Sequence, residues 1–353
     1  MNGAAGSSLA VIIPAYRGEY LAETLRSLEA QSCRDFRVYV ADDGSPEPIG
    51  RIVADFAGKM DLVYHRFPTN LGHESLVNHW DRAIELSREP FVWLFSDDDV
   101  ASPDCVRTFY DDLGAAPESR ALRRFDLEFI GPDGVRLLTE PEFPQQLSDA
   151  AYTRHLLHTL TATCVMQNMV FPRAVYEEER GFADFPGGYC TDCATWPRFA
   201  RQSGVRRLAG GRVSFRRHGG AMSITLLQQL SDWRPLIASY GATLHEMRRS
   251  LGEGATTRHA EWRAELVWFC RWFRYYPRPL SKVELAFARA EMGLLWPERP
   301  LSRRIVFGLN YVASRLRRNR FGGRLLQARR QLFGFVSPSA GTRAGSVHGN
   351  THH

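Results

Sequence analysis

No stretch of the 353-residue chain carries 18 successive apolar residues, so nothing in it reads as a membrane-spanning helix. The N-terminus, MNGAAGSSLAVIIP, lacks the basic start of a secretory signal, which predicts a cytoplasmic protein whose membrane contact can only be peripheral. Cysteine is scarce, with one close pair at Cys190 and Cys193 and Cys33, Cys105, Cys164 and Cys270 scattered elsewhere. That spacing gives neither a disulfide framework nor a second pair at zinc-ligand distance, so the thiols are expected to be structural or incidental. No GxGxxG follows the first strand-like segment, which argues against a dinucleotide fold, and no GxxxxGK[ST] occurs. Disorder is excluded for most of the chain by its 44% hydrophobic content, enough for one large core or a catalytic domain with an appendage. The formal charge of +6 is regional: residues 270–336 hold fifteen Arg and Lys against three Glu, or +12, leaving −6 for the remainder. These arginines match no nucleic-acid recognition motif, so a nucleic-acid partner is not expected.

What is present begins with a strict alternation. Apolar SLAVIIP at 8–14 precedes a helical face of Tyr20, Leu21, Thr24, Leu25 and Leu28, and the strand FRVYVADD follows at 36–43. Ile49, Ile52, Val53 and Phe56 supply the next helix, and DLVYHRF at 61–67 a third strand. Leu76, Trp80, Ile84 and Leu86 then lead to a fourth strand at 91–95. Four strand–helix units in about 100 residues predict an α/β fold, a Rossmann-like, mostly parallel sheet flanked by helices, with ligands at the C-terminal strand ends. A strand, GPDG turn and strand at 127–138 add antiparallel pairing. In VMQNMVFP at 165–172, Gln167 and Asn168 mark either a pocket edge or an edge strand meeting solvent. Beyond Thr225 the signals are helical, and from Ser337 the composition is that of a disordered tail.

The chemistry is expected where FVWLFSDDDV runs from a buried strand into Asp97, Asp98 and Asp99. Three adjacent carboxylates repel one another and resist dehydration, so a divalent cation between them and an anionic partner is one economical arrangement. A solvated turn with Asp98 or Asp99 capping the next helix is the other. Asp192, after Gly187 and Gly188, is either a helix cap or a base. Arg216, Arg217 and His218, ahead of two glycines, suit either a phosphate-closing loop or an exposed strand end. In the segment 302–318, Ile305, Leu309, Val312 and Leu316 form a stripe flanked by Arg303, Arg304, Arg315, Arg317 and Arg318. It fits an anionic membrane surface and a helix packed on the core equally well.

Taken together, VIIPAYRGEYLAETLRSL, VADDGSPEP, NLGHE, LFSDDDVASP and GYCTDCATW resemble the ordered motifs of the family 2 nucleotide-diphospho-sugar glycosyltransferases of GT-A fold, over roughly residues 8–220. The resemblance implies a catalytic domain at 1–225, followed by a basic helical region at 226–336 for membrane or acceptor contact and a tail at 337–353. By position it implies that Pro14 and Tyr16 line the nucleotide, that Asp42 or Asp43 faces the base, and that Asp97 and Asp99 hold Mg2+ or Mn2+ with Asp98 beside the donor. It implies Asp192 as the base of an inverting displacement, although Thr191 stands where many relatives have Glu. His218 would approach the diphosphate or lie behind it. The implied donor is a nucleoside-diphosphate sugar and the acceptor a glycan or lipid-linked saccharide. LFSDDDV is similar to the form in enzymes adding deoxysugars such as abequose to bacterial surface polysaccharides. A sugar nucleotidyltransferase would be expected to carry a Gly-rich basic loop where this chain has PAYRGEY, and a non-catalytic glycan-binding domain would not need the three carboxylate stations.

Overall fold

Strand β1 (Leu9–Ala15) is buried on both faces because its side chains alternate between two cores. Leu9, Val11 and Ile13 join one apolar cluster, and Ala10 and Ile12 the other. The computed structural model describes residues 7–159, 164–220, 230–252, 259–276, 278–297 and 300–316. Around β1 lie β2 (Arg37–Asp42), β3 (Leu62–Arg66) and β4 (Phe91–Leu94), all parallel, joined by α1 (Leu21–Glu29), α2 (Ile49–Ala54) and α3 (Leu76–Ile84). Ser75 starts α3 by accepting the amide of Asn78.

The sheet then turns mixed. Short β5 (Val100–Ala101) precedes α4 (Cys105–Ala115), β6 (Leu122–Ile130), β7 (Arg136–Thr139) and β8 (Gln146–Leu147). After α5 (Asp149–His158) come β9 (Met169–Pro172), α6 (Arg173–Glu178), α7 (Thr191–Phe199) and β10 (Val205–Arg216). The main order is β3-β2-β1-β4-β9-β6-β10-β5, with β9 antiparallel to both β4 and β6. β6 and β7 form the expected hairpin, and β10 is one strand with a register shift between Leu208 and Arg212. Neither sequence reading of Gln167 and Asn168 describes what is seen. Asn168 is 1% exposed, and the Gln167 carbonyl accepts the indole N–H of Trp93, so this turn is sealed between β4 and β6.

Helices α8 (Arg234–Leu251), α9 (His259–Arg271), α10 (Lys282–Leu295) and α11 (Pro300–Leu316) complete the described chain. Trp233, Tyr240, Trp268, Phe269 and Phe273 continue the same apolar cluster as Ala10 and Ile12, so the helical region is packed on one face of the sheet. α11 turns Val306, Phe307, Asn310 and Ala313 inward and leaves Ile305, Leu309 and Val312 exposed. The helix is packed on the core, as one reading of this segment has it, but through Val306, Phe307 and Ala313 rather than through the stripe, of which Ile305, Leu309 and Val312 face outward. Residues 226–229 and 317–336, expected to be helical, and the tail 337–353 lie outside the described residues, as do the side chains of Arg303, Arg315 and Leu316. Among the described residues no helix is long and apolar enough to cross a membrane.

Candidate active site

Two acidic strand ends stand at the C-terminal edge of the parallel strands, as the alternation predicts, but they are built differently. At the end of β2, Asp42 is fully buried. Its Oδ1 accepts the Ser45 amide at 2.8 Å, and its Oδ2 accepts both the Tyr64 hydroxyl and Arg66 Nη1 at 2.7 Å. Asp43 accepts the amides of Leu71 and Gly72 at 2.9 and 2.8 Å, pairs with Arg82, and faces His79 Nδ1 at 3.3 Å. A Cβ at Gly72 would come within 2.7 Å of Asp43 Oδ2, so glycine lets this loop close on the carboxylate. Burial drives the His79 imidazole down to about 4, keeping it neutral between Asp43 and Arg82.

At the end of β4 the three carboxylates diverge. Asp97 Oδ2 accepts the amides of Tyr16 and Arg17, both at 3.0 Å, which ties the acidic turn to the loop after β1. Asp98 accepts the Ser96 hydroxyl and meets His218 Nε2 at 2.9 Å. Asp99, 0% exposed, accepts the Arg216 amide through Oδ1 at 2.7 Å, while its buried Oδ2 has no hydrogen-bond partner among the described residues. The helix-capping reading of Asp98 and Asp99 is therefore not realised: α4 follows Asp104, with no side-chain cap. Among the described residues no Lys or Arg side chain pairs with any of the three. Burial and the charge of Asp98 push both Asp97 and Asp99 upward, Asp99 well above the ordinary carboxylate range.

Arg216 is spent inside the fold rather than offered to phosphate. Its Nε donates to the Asp98 carbonyl, Nη1 reaches the carbonyls of Gly131 and Pro132, and Nη2 pairs with Glu23 at 2.7 Å. The Tyr20 ring lies between this guanidinium, 4.4 Å away, and the His218 imidazole, 5.0 Å away. Arg217 is exposed and lies over Phe129. Pro14 is half-buried and Tyr16 is 37% exposed, its carbonyl accepting the Ser45 hydroxyl and so linking the two acidic ends.

Asp192 stands apart, in the first turn of α7, where its Oδ1 accepts the Cys193 amide at 2.7 Å. The turn before it is held in left-handed backbone at Gly187, Gly188 and, unusually for a residue with a Cβ, Cys190. Burial pushes its carboxyl up to about 6 against the Cys193 bonds and the charge of Arg271. Cys193 also touches the thiols of Cys164 and Cys190, an internal cluster that sequence spacing did not suggest. Among the described residues no group of three His, Cys, Asp or Glu side chains is arranged to hold a metal.

Sequence reasoning missed Tyr20, Glu23, Thr24, Arg66 and Arg82. Tyr20 and Thr24 were legible only as part of a helix face, yet the Thr24 hydroxyl holds the Asp99 carbonyl at 2.8 Å. Arg66 and Arg82 carry no local signal because their acidic partners are 24 and 39 residues away.

Residues 10–179 match the family described as Glycosyl transferase family 2. This segment is a family 2 glycosyltransferase domain. The chain is similar over 252 residues, at 24% identity, to an uncharacterized glycosyltransferase of Rickettsia typhi, covering 70% of this chain and 76% of that one. It is 28% identical over 120 residues to the uncharacterized protein y4gI of Sinorhizobium fredii, covering 33% of this chain but only 13% of that protein. A crystal structure of S. aureus TarS 1-349 in complex with UDP-GlcNAc shares the fold, with a TM-score of 0.58 at 14% identity over 87% of this chain and 90% of that one. The fold is thus the GT-A one, and the matched domain is one of glycosyl transfer.

Proposed function

We propose that the protein is a metal-dependent, inverting glycosyltransferase that moves a hexosyl or deoxyhexosyl group from a nucleoside-diphosphate sugar to a hydroxyl of a glycan or lipid-linked saccharide. The setting that fits the motif resemblance is synthesis of bacterial surface polysaccharide. The observation that carries the reading is the acidic turn: three carboxylates that, among the described residues, have no Lys or Arg ion-pair partner, one of them with a fully buried oxygen left without a hydrogen bond. Hard oxygen donors short of positive charge fit a divalent cation. Asp99 through Oδ2, with the remaining oxygen of Asp97, would hold Mg2+ or Mn2+, which would neutralise charge gathering on the leaving diphosphate.

The remaining chemistry belongs to the chain. Asp192 takes the proton of the acceptor hydroxyl as that oxygen bonds to the anomeric carbon, and the bond to the diphosphate oxygen breaks on the opposite side. Its carboxyl, pushed up to about 6, is ionised at neutral pH yet more basic than an ordinary aspartate. Pro14 and Tyr16 line the nucleotide, Asp42 or Asp43 faces its base, and Asp98 orients His218 toward the donor.

Asp192→Asn tests the reading, because the amide keeps the shape and loses the basicity. Turnover should fall about 100- to 10,000-fold, with calorimetric donor affinity retained and the wild-type product carrying the anomeric configuration opposite to the donor. Below about pH 6 the wild-type base is protonated, so turnover should decline as pH falls through that value. Near-normal turnover of the variant removes Asp192 as the base, and a retained anomeric configuration overturns single displacement.

We also propose peripheral attachment to an anionic membrane through α11. Ile305 is 62% exposed, Leu309 44% and Val312 48%, at spacing that places them on one helix face, with Arg304 exposed beside them and a local excess of basic charge. The protein should float with phosphatidylserine-containing liposomes at low salt, and Ile305→Glu with Leu309→Glu should release it without unfolding. Equal flotation of the double variant would sink the idea.

A further inference from the structure

Arg17 follows Tyr16 at the mouth of the acidic turn, with its amide held by Asp97 Oδ2 at 3.0 Å. Its exposed side chain makes no hydrogen bond or ion pair among the described residues. That is unexpected so near three carboxylates, when Arg66, Arg82, Arg123, Arg124 and Arg207 each pair with an acidic partner. The three carboxylates face other groups. Asp97 is taken by two amides, Asp98 by Ser96 and His218, and Asp99 is buried against the Arg216 amide.

The guanidinium instead rests against Gly220. A Cβ built there would collide with Arg17 Nη1 and lie 3.3 Å from His218 Nδ1. Two cation-capable groups, from the loop after β1 and from just past the end of β10, therefore meet at Gly220, where an added Cβ would displace the end of the Arg17 side chain. His218 keeps its Nε2 on Asp98, so its Nδ1 is the nitrogen on the Gly220 side.

We propose that Arg17, together with His218 across Gly220, forms an anion subsite that takes the diphosphate of the nucleotide donor. The inference rests on the reading of the protein as a nucleotide-sugar transferase. A planar guanidinium with no partner among the described residues can present two N–H groups to phosphate oxygens in a fork, whereas the neighbouring carboxylates alone would repel the same anion. The absent Cβ at residue 220 lets both the guanidinium and the phosphates approach.

Calorimetry on the full chain with Mg2+, using UDP, GDP, CDP and ADP and the corresponding nucleosides, tests it. Arg17→Met should bind the preferred diphosphate about 10- to 100-fold more weakly and the nucleoside unchanged, and Arg17→Lys should recover part of the loss. Gly220→Ala should weaken the diphosphate in the same way at an unchanged unfolding midpoint, since the far end of the Arg17 side chain is what must move. Wild-type affinity of Arg17→Met for the diphosphate, or an equal loss for diphosphate and nucleoside, would overturn the subsite while leaving the donor reading intact. If wild type binds none of the four diphosphates, the donor reading falls and takes the subsite with it.

Discussion

The two acidic strand ends of this sheet have nearly the same sequence and opposite electrostatics. Asp42 and Asp43 are each met by an arginine, and each of their carboxylate oxygens already accepts a hydrogen bond. Among the described residues, Asp97, Asp98 and Asp99 receive backbone amides, one hydroxyl and one imidazole, and no guanidinium. A carboxylate buried against amides alone keeps its charge only at an energetic cost, which is why Asp97 and Asp99 are pushed upward. The first end is completed by the chain. The second, among the described residues, is not, and that is what supports proposing it as the catalytic centre.

The sharpest way to break this contrast is Asp99→Asn. If the acidic turn is a functional centre held at the expense of stability, the amide should reduce turnover about 100- to 1,000-fold, while unfolding by denaturant shows stability unchanged or increased because a buried charge has been removed. Titration of Mg2+ into wild type and variant, followed by donor affinity, reads the same centre independently. Loss of stability with full turnover would make Asp99 a scaffold residue and dissolve the distinction.

The reverse is expected at the other end. Arg82, 17% exposed in its side chain, pairs with Asp43, donates to the Thr69 carbonyl and lies 4.0 Å over the Phe67 ring. Arg82→Leu strands Asp43 with amides and a neutral His79, and should cost about 3 kcal/mol of folding stability. Turnover per folded molecule should change far less than in Asp99→Asn. Denaturant unfolding alongside an active-site count separates the two effects.

How much of this contrast the sequence displays depends on range. The strands ending at Asp43 and Phe95 are legible because apolar runs stop abruptly at carboxylates, and the helix faces between them repeat at their own period. Short β5 is not legible, since Val100 and Ala101 are two residues paired with Val213 and Ser214 of β10. The same limit hides the site. DDG and DDD look alike in one dimension, and what separates them is Arg66 and Arg82 on one side and the Arg216 amide on the other, contacts spanning 24, 39 and 117 residues. Arg216 shows the error that follows: the residue type suggests phosphate, but its carbonyl partners and Glu23 turn it inward. Arg17, in the loop after β1, is a guanidinium left outward.

The smallest effect is expected at Arg66, and it tests whether Asp42 is sealed as firmly as Asp43. Asp42 is fully buried, yet both groups on its Oδ2 reach solvent: Tyr64 is 36% exposed, and the Arg66 side chain 49%. For Asp42 to face a nucleotide base, a base-edge N–H must replace one of them. A half-exposed arginine gives up such a pair cheaply because water takes it back, unlike Arg82, which is shut in with Phe67 and the loop after it. Arg66→Ala should therefore leave the unfolding midpoint in place, with the Tyr64 hydroxyl and the Ser45 amide still on the carboxylate. Donor affinity should stay within about fivefold of wild type, shifting toward tighter binding if Arg66 competes with the base for Oδ2. Calorimetry with the same nucleoside diphosphates reads the result. A loss of affinity beyond that range would mean that Arg66 itself touches the nucleotide, and a loss of stability like that of Arg82→Leu would make the two pairs equivalent and confine the base to other partners.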